Sequence, residues 1–100
     1  MSVSEFHMVT IVTERILKED ILDLMRAQGA RGFTLTDTDG EGSRGVRASD
    51  WEGKNVKIES IVGAEKAERI MKAMAETYFE NYAVIAYSYP VRVFRGEKYT

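Results

Sequence analysis

Apolar residues recur in two rhythms along this chain. Residues 6–13, Phe6 to Thr13, are crowded with β-formers and predict a first strand. From Leu17 the period lengthens. Leu17, Ile21, Leu24, Met25 and Ala27 fall at helical spacing, while Lys18, Glu19, Asp20, Asp23 and Arg26 occupy the opposite side. Gly29 supplies a stop for that helix. Gly32 precedes a second strand at 33–36. Residues 37–55, Asp37 to Asn55, follow neither rhythm. They are polar and hold Gly40, Gly42, Gly45 and Gly53, half of the chain's eight glycines, so they read as a long loop. A third strand is predicted at 56–62. A second helix at 64–80 has Ala67, Ile70, Met71, Met74 and Tyr78 on one face. A fourth strand at 83–89 leads into Pro90, an extended tail at 91–94 and a basic end.

The order β-α-β-loop-β-α-β is that of two split βαβ units at matching pitch. It predicts an α+β, ferredoxin-like βαββαβ sandwich: one four-stranded sheet with two helices on one face. A doubly wound sheet needs helices on both faces, and two helices are too few for that. The strands are apolar on both sides. Phe6, Met8 and Val12 alternate with Val9 and Ile11, and Val84 and Ala86 alternate with Ile85, Tyr87 and Tyr89. A sheet with one wet face should alternate more cleanly, so the helix-free face is expected to be covered in an oligomer.

One hundred residues predict a single domain, 1–100, able to bury one core without covalent staples. A net charge of −2 argues against a broad basic surface for nucleic acid or anionic membrane. The absence of cysteine excludes disulfides, thiolate catalysis and cysteine-based zinc sites, and fits a reducing, cytoplasmic setting. No signal peptide and no apolar run near the ~20 residues of a membrane span is apparent.

Residues that could carry chemistry concentrate in the glycine-bearing loop. Gly40-Glu41-Gly42-Ser43-Arg44-Gly45 follows a strand, as a dinucleotide fingerprint does, but no helix opens after it, so that reading fails. Closely spaced glycines let backbone N–H groups turn toward an anion, and Arg44 and Arg47 could converge on a phosphate. By composition alone, a solvent-exposed loop with two solvated arginines is favoured over that cradle. Asp37, Asp39 and Glu41 read as turn carboxylates rather than a Mg²⁺ site. His7 and Ser43 have no visible catalytic partner, so no enzyme and no metal site is expected. Arg92, Arg95 and Lys98 beside Tyr99 form either a solvated edge or the far wall of an anion pocket. Trp51 reads as a loop anchor or a partner contact.

The run from Gly29 through Arg31, Gly32, Thr34 and Thr36 to Asp37, with Val56-Lys57-Ile58-Glu59 after the loop, resembles the PII signal-transduction superfamily. The segment from Asp37 to Arg47 is similar to the carbon-sensing PII-like proteins associated with bicarbonate transporters and carboxysomes. Tyr82-Ala83-x-Ile85-x-Tyr87 and Val93-x-x-Gly96 also fit that subgroup.

The resemblance implies a homotrimer that binds adenine nucleotides in clefts between subunits. ADP or AMP is favoured, with ATP and cyclic AMP as further candidates and bicarbonate as co-ligand; no covalent cofactor is implied. Residues 37–55 correspond to the T-loop, which changes shape with ligand and docks partner proteins. Gly42, Ser43, Arg44 and Arg47 match phosphate-holding positions, and Thr36 and Asp37 stand at the loop's base. Asn81, Tyr82 and Ala83 correspond to the B-loop, and Arg95 and Gly96 to the phosphate-facing end of the last strand. The implied role is a non-enzymatic regulator that signals inorganic-carbon or energy status. The implied partner is a bicarbonate transporter or another carbon-concentrating protein, with membrane association only through that partner.

Several departures argue against nitrogen-sensing chemistry. Glu80-Asn81-Tyr82-Ala83 stands where a Gly-Asp-Gly-Lys B-loop is usual, Asn55 replaces the loop-base lysine beside Lys54, and the loop has no tyrosine to uridylylate. The glutamine that helps bind Mg-ATP and 2-oxoglutarate has no counterpart, and there is no cysteine for a redox loop. Two other readings remain open from the sequence: a ferredoxin-like metabolite-binding domain or enzyme, and an RRM-type nucleic-acid binder. Val56-Lys57-Ile58-Glu59 lacks the stacking aromatics that the latter needs.

Overall fold

The computed structural model describes residues 3–39 and 55–99. Four strands are present, β1 (Val3–Glu14), β2 (Thr34–Thr38), β3 (Asn55–Val62) and β4 (Ile85–Phe94), with helices α1 (Lys18–Ala27) and α2 (Ala64–Tyr78). Short 3-10 turns at Arg15–Leu17 and Gly96–Tyr99 complete the described chain. The sheet order is β2-β3-β1-β4, and every neighbouring pair is antiparallel. The βαββαβ expectation therefore holds.

Register assigns the two faces. Ile11 pairs with Ile58 on one side and Ala86 on the other, and Leu35 also pairs with Ile58. Val9, Ile11, Val56, Ile58 and Val62 point into the helical layer and are buried against Ile21, Leu22, Met25, Ala67, Ile70, Met74 and Tyr78. Each large side chain fully buried there contributes about 1.5–3 kcal/mol of transfer free energy. In α1 the buried stripe is Ile21, Leu22 and Met25; Leu22 joins it, whereas Ala27 is exposed. A helix of 3.6 residues per turn carries Leu22 beside Ile21 and Met25 and turns Ala27 away. In α2, Ala67, Ile70, Met74 and Tyr78 are buried as expected and Met71 is half-buried.

Among the described residues, the opposite face has no covering element over most of its area. Ile85, Tyr87 and Tyr89 of β4 remain 54%, 43% and 42% exposed there, and the Tyr87 and Tyr89 rings stack at 6.3 Å. Phe6, at 7% exposure, is covered by Tyr99 of the terminal turn.

Several boundaries differ from expectation, β1 among them, which runs from Val3 to Glu14 rather than over 6–13. Asp37 and Thr38 extend β2 and Asn55 opens β3, because Asp37 pairs with Val56 and Thr38 with Asn55. The stem of the expected 37–55 loop is therefore sheet. α2 ends at Tyr78 rather than at residue 80. β4 begins at Ile85 and runs through Pro90 to Phe94 as one strand. Proline is tolerated because β4 is an edge strand, where a missing N–H leaves no neighbour unpaired.

Candidate functional site

Backbone devices at three places position the polar groups. α1 ends in a Schellman motif. The Gly29 N–H donates to Arg26 O at 3.0 Å and the Ala30 N–H to Met25 O at 3.0 Å, with Gly29 at φ +105°. The chain then turns through Arg31 and Gly32 into β2, fixed by the Ser60 hydroxyl, which donates to Gly32 O at 2.7 Å. After α2, the Tyr82 N–H donates to Tyr78 O at 2.9 Å, and the two rings meet edge-on at 5.6 Å. After β4, Arg95 adopts φ +62°, an uncommon conformation for a side-chain-bearing residue, and its carbonyl accepts the Lys98 N–H at 3.0 Å.

The last device folds Lys98 and Tyr99 back toward the sheet. There they wall two adjoining clefts of about 230 and 250 Å³, which share Gly32 and Ile61. Arg31 and Lys66 line the first, and Met8, Thr34 and Glu59 the second. Arg31, Lys66 and Lys98 arrive from the α1–β2 connection, the first turn of α2 and the terminal turn. Of the basic end, Lys98 is a pocket wall beside Tyr99, whereas Arg92 and Arg95 are exposed and line neither cleft. The sequence exposed Lys98 and Tyr99 as candidates but not Arg31 or Lys66. Arg31's position between Gly29 and Gly32 was its only local signal, and Lys66 looked like any exposed helical lysine.

The candidate residues fall in separate places. Thr36 is exposed on β2, on the helix-free face, two residues from Thr34 in the cleft. Asp37, next in sequence, turns to the helical side, and its carboxylate accepts a hydrogen bond from the Arg15 guanidinium. Asn81, Tyr82 and Ala83 form an exposed turn just before β4, whereas Arg95 and buried Gly96 follow its far end. Ile85 pairs with Val12 and Phe94 with Val3, so the turn and Arg95 lie at opposite ends of the sheet. At ~3.3 Å per residue, β4 separates them by roughly 30 Å. Gly42, Ser43, Arg44 and Arg47 lie outside the described residues, as does Trp51.

Beneath the 81–83 turn, burial, the Asp20 carboxylate and the Tyr82 phenol push the Tyr78 phenol above its ordinary pKa. His7 lines a separate cleft of about 160 Å³ with Glu68 and Ser88. Among the described residues no group of three or more His, Cys, Asp or Glu side chains is placed to hold a metal. No described helix is long and apolar enough to cross a membrane.

Comparison with known proteins places this architecture. A protein of Thermus thermophilus, assigned to the PII-like signaling proteins, superposes with a TM-score of 0.87 at 47% identity, covering 100% of both chains. CPII from Thiomonas intermedia, a nitrogen regulatory PII-like protein, has been solved bound to ADP, AMP and bicarbonate. It matches with a TM-score of 0.87 at 20% identity, over 97% of this chain and 95% of that one. The same protein bound to ADP and bicarbonate matches equally, over 99% and 98%. At that identity the CPII match speaks to the fold. The profile of the family described as nitrogen regulatory protein P-II matches residues 6–98. With that match along almost the whole chain and a relative sharing nearly half its residues, the chain belongs to the nitrogen regulatory protein P-II family.

Proposed function

We propose that this P-II family member is a non-enzymatic, cytoplasmic regulator that binds adenine nucleotides, ADP or AMP above all, with bicarbonate as co-ligand. Three copies form the active unit, and each nucleotide lies between two of them. Gly42, Ser43, Arg44 and Arg47 hold phosphate oxygens, with Thr36, Asp37 and the turn at Asn81, Tyr82 and Ala83 beside them on the same copy. Arg95 and Gly96, with the cleft beside Lys98, come from the neighbour. Nucleotide and bicarbonate together order the 37–55 region, and a carbon-concentrating partner such as a bicarbonate transporter reads that change.

The observation that carries this reading is the separation along β4. The turn at Asn81, Tyr82 and Ala83 sits roughly 30 Å from Arg95 and Gly96 in one chain, farther than a nucleoside diphosphate reaches, so a ligand shared by both requires a second copy. The exposed Ile85, Tyr87 and Tyr89 supply an apolar face for that contact. The binding of ADP, AMP and bicarbonate by CPII, on the same fold, supports the choice of ligands.

Two measurements test it. Sedimentation should show about 34 kDa, three times the 11.3 kDa chain. Calorimetry with AMP, ADP, ATP and cyclic AMP, each with and without bicarbonate, should show ADP or AMP bound and tightened by bicarbonate. The same coupling factor must appear when bicarbonate is titrated with and without ADP. A stable monomer, or no heat with any nucleotide, overturns the reading.

A further inference from the structure

The base of the 37–55 region carries an unusual combination of groups. Two pairs close it, Asp37 with Val56 and Thr38 with Asn55, and β1 flanks them through Thr13 and Glu14. Closing this stem buries polar atoms without partners. Thr13 is 1% exposed and Asn55 6% exposed, and among the described residues neither Thr13 Oγ1 nor Asn55 Oδ1 finds a hydrogen bond. Buried, unpaired polar atoms of this kind cost free energy that an open stem recovers by hydration. The stem therefore sits at the low-stability end of the sheet.

Across it reaches Arg15. It stands in the turn directly after β1, and its guanidinium donates to the Asp37 carboxylate on β2, so the contact spans the first residues of β3. A cation just ahead of a helix N-terminus lies on the unfavourable side of the helix dipole. The helix does not explain Arg15's position; Asp37 does.

We propose that Arg15 is a positioning residue. Through Asp37 it holds the Asp37–Val56 and Thr38–Asn55 stem closed, and so sets the affinity of the nucleotide that the preceding section assigns to the segment beyond. The affinity half of this proposal rests on that functional reading; the stem half does not. Both side chains are substantially exposed, at 40% and 58%, so the contact is expected to shift the stem equilibrium roughly two- to fivefold.

Amide hydrogen exchange at Asp37, Thr38, Asn55 and Val56 in the ligand-free protein measures the stem, and calorimetry with ADP measures affinity. The variants are Arg15→Ala, Asp37→Ala, the double substitution, and the charge-swapped pair Arg15→Asp with Asp37→Arg. Each single variant should exchange two- to fivefold faster, and Arg15→Ala should bind ADP correspondingly more weakly. The double should exchange no faster than either single, and the swap should recover most of the wild-type protection; ADP affinity is read on Arg15→Ala alone, because Asp37 itself stands beside the nucleotide in the functional reading. Raising salt should erase the wild-type advantage. Unchanged exchange in Arg15→Ala, or additive effects in the double, overturns the clamp. Weaker ADP binding with unchanged exchange means that Arg15 touches the ligand itself, which also overturns it. Faster exchange in a protein that binds no ADP leaves the clamp standing and removes both the affinity role and the functional reading.

Discussion

The rings of Phe6 and Tyr99 meet at 5.9 Å between centroids, tilted by 58°, so the first strand and the last described turn hold each other. That contact covers Phe6 and places Lys98 and Tyr99 over the cleft. Tyr99→Ala should lower stability by about 1–2 kcal/mol, since aromatic pairs contribute beyond the area they bury. Tyr99→Phe should be near wild type. Urea denaturation of the three proteins decides it, and an unchanged midpoint in Tyr99→Ala would show that the turn is held by other contacts.

Among the described glycines, Gly29 is the one whose backbone disfavours a side chain. Its φ is +105°, and an added Cβ would come within 2.9 Å of Lys66 Cε. Gly29→Ala should cost about 1–2 kcal/mol, which lowers the melting temperature of a domain this size by several degrees. Gly32→Ala, with open space around it, is the control and should move the transition little.

Arg95 separates folding from binding. Its φ of +62° is one that glycine adopts freely. Arg95→Gly should therefore raise or preserve the melting temperature while weakening ADP. Weakened ADP binding together with a lowered melting temperature would instead assign Arg95 a structural role.

Arg47 carries the phosphate expectation. A well-formed charge-assisted hydrogen bond contributes roughly 1.5–3 kcal/mol, so Arg47→Ala should weaken ADP at least about tenfold. Calorimetry checks it; wild-type affinity in the variant would leave the segment as a partner surface only.

Tyr78 gives the protein an alkaline limit. Its phenol is harder to ionise in the folded state than in the unfolded chain. The raised pKa contributes stability that is complete below the ordinary phenol value of about 10 and is lost as pH rises toward the folded value. Tyr78→Phe should flatten that decline. Denaturant midpoints at pH 9 and pH 11 compare the two, and equal slopes would refute the assignment.

Much of this was legible along the chain because it depends on local period and local chemistry. The alternation of Val9 and Ile11 against Met8 and Val12 marked a strand with two apolar faces. The stripe of Ala67, Ile70, Met74 and Tyr78 marked α2, and Gly29 marked the end of α1. These follow from side-chain direction and backbone freedom, which each residue carries with it. Family membership was readable for the same reason, since its motifs are contiguous.

What the tertiary structure decided were relations between residues far apart in sequence. Pro90 could remain inside a strand only because β4 lies at the sheet's edge. Arg15 found Asp37 across β3, and Arg31, Lys66 and Lys98 converged on one cleft, although nothing in their neighbours' composition linked them. The separation of Asn81, Tyr82 and Ala83 from Arg95 and Gly96 appeared only with the register of β1 against β4. Sequence period specifies which face a residue takes; strand order and register, set by burial of the whole sheet against two helices, specify which residues meet.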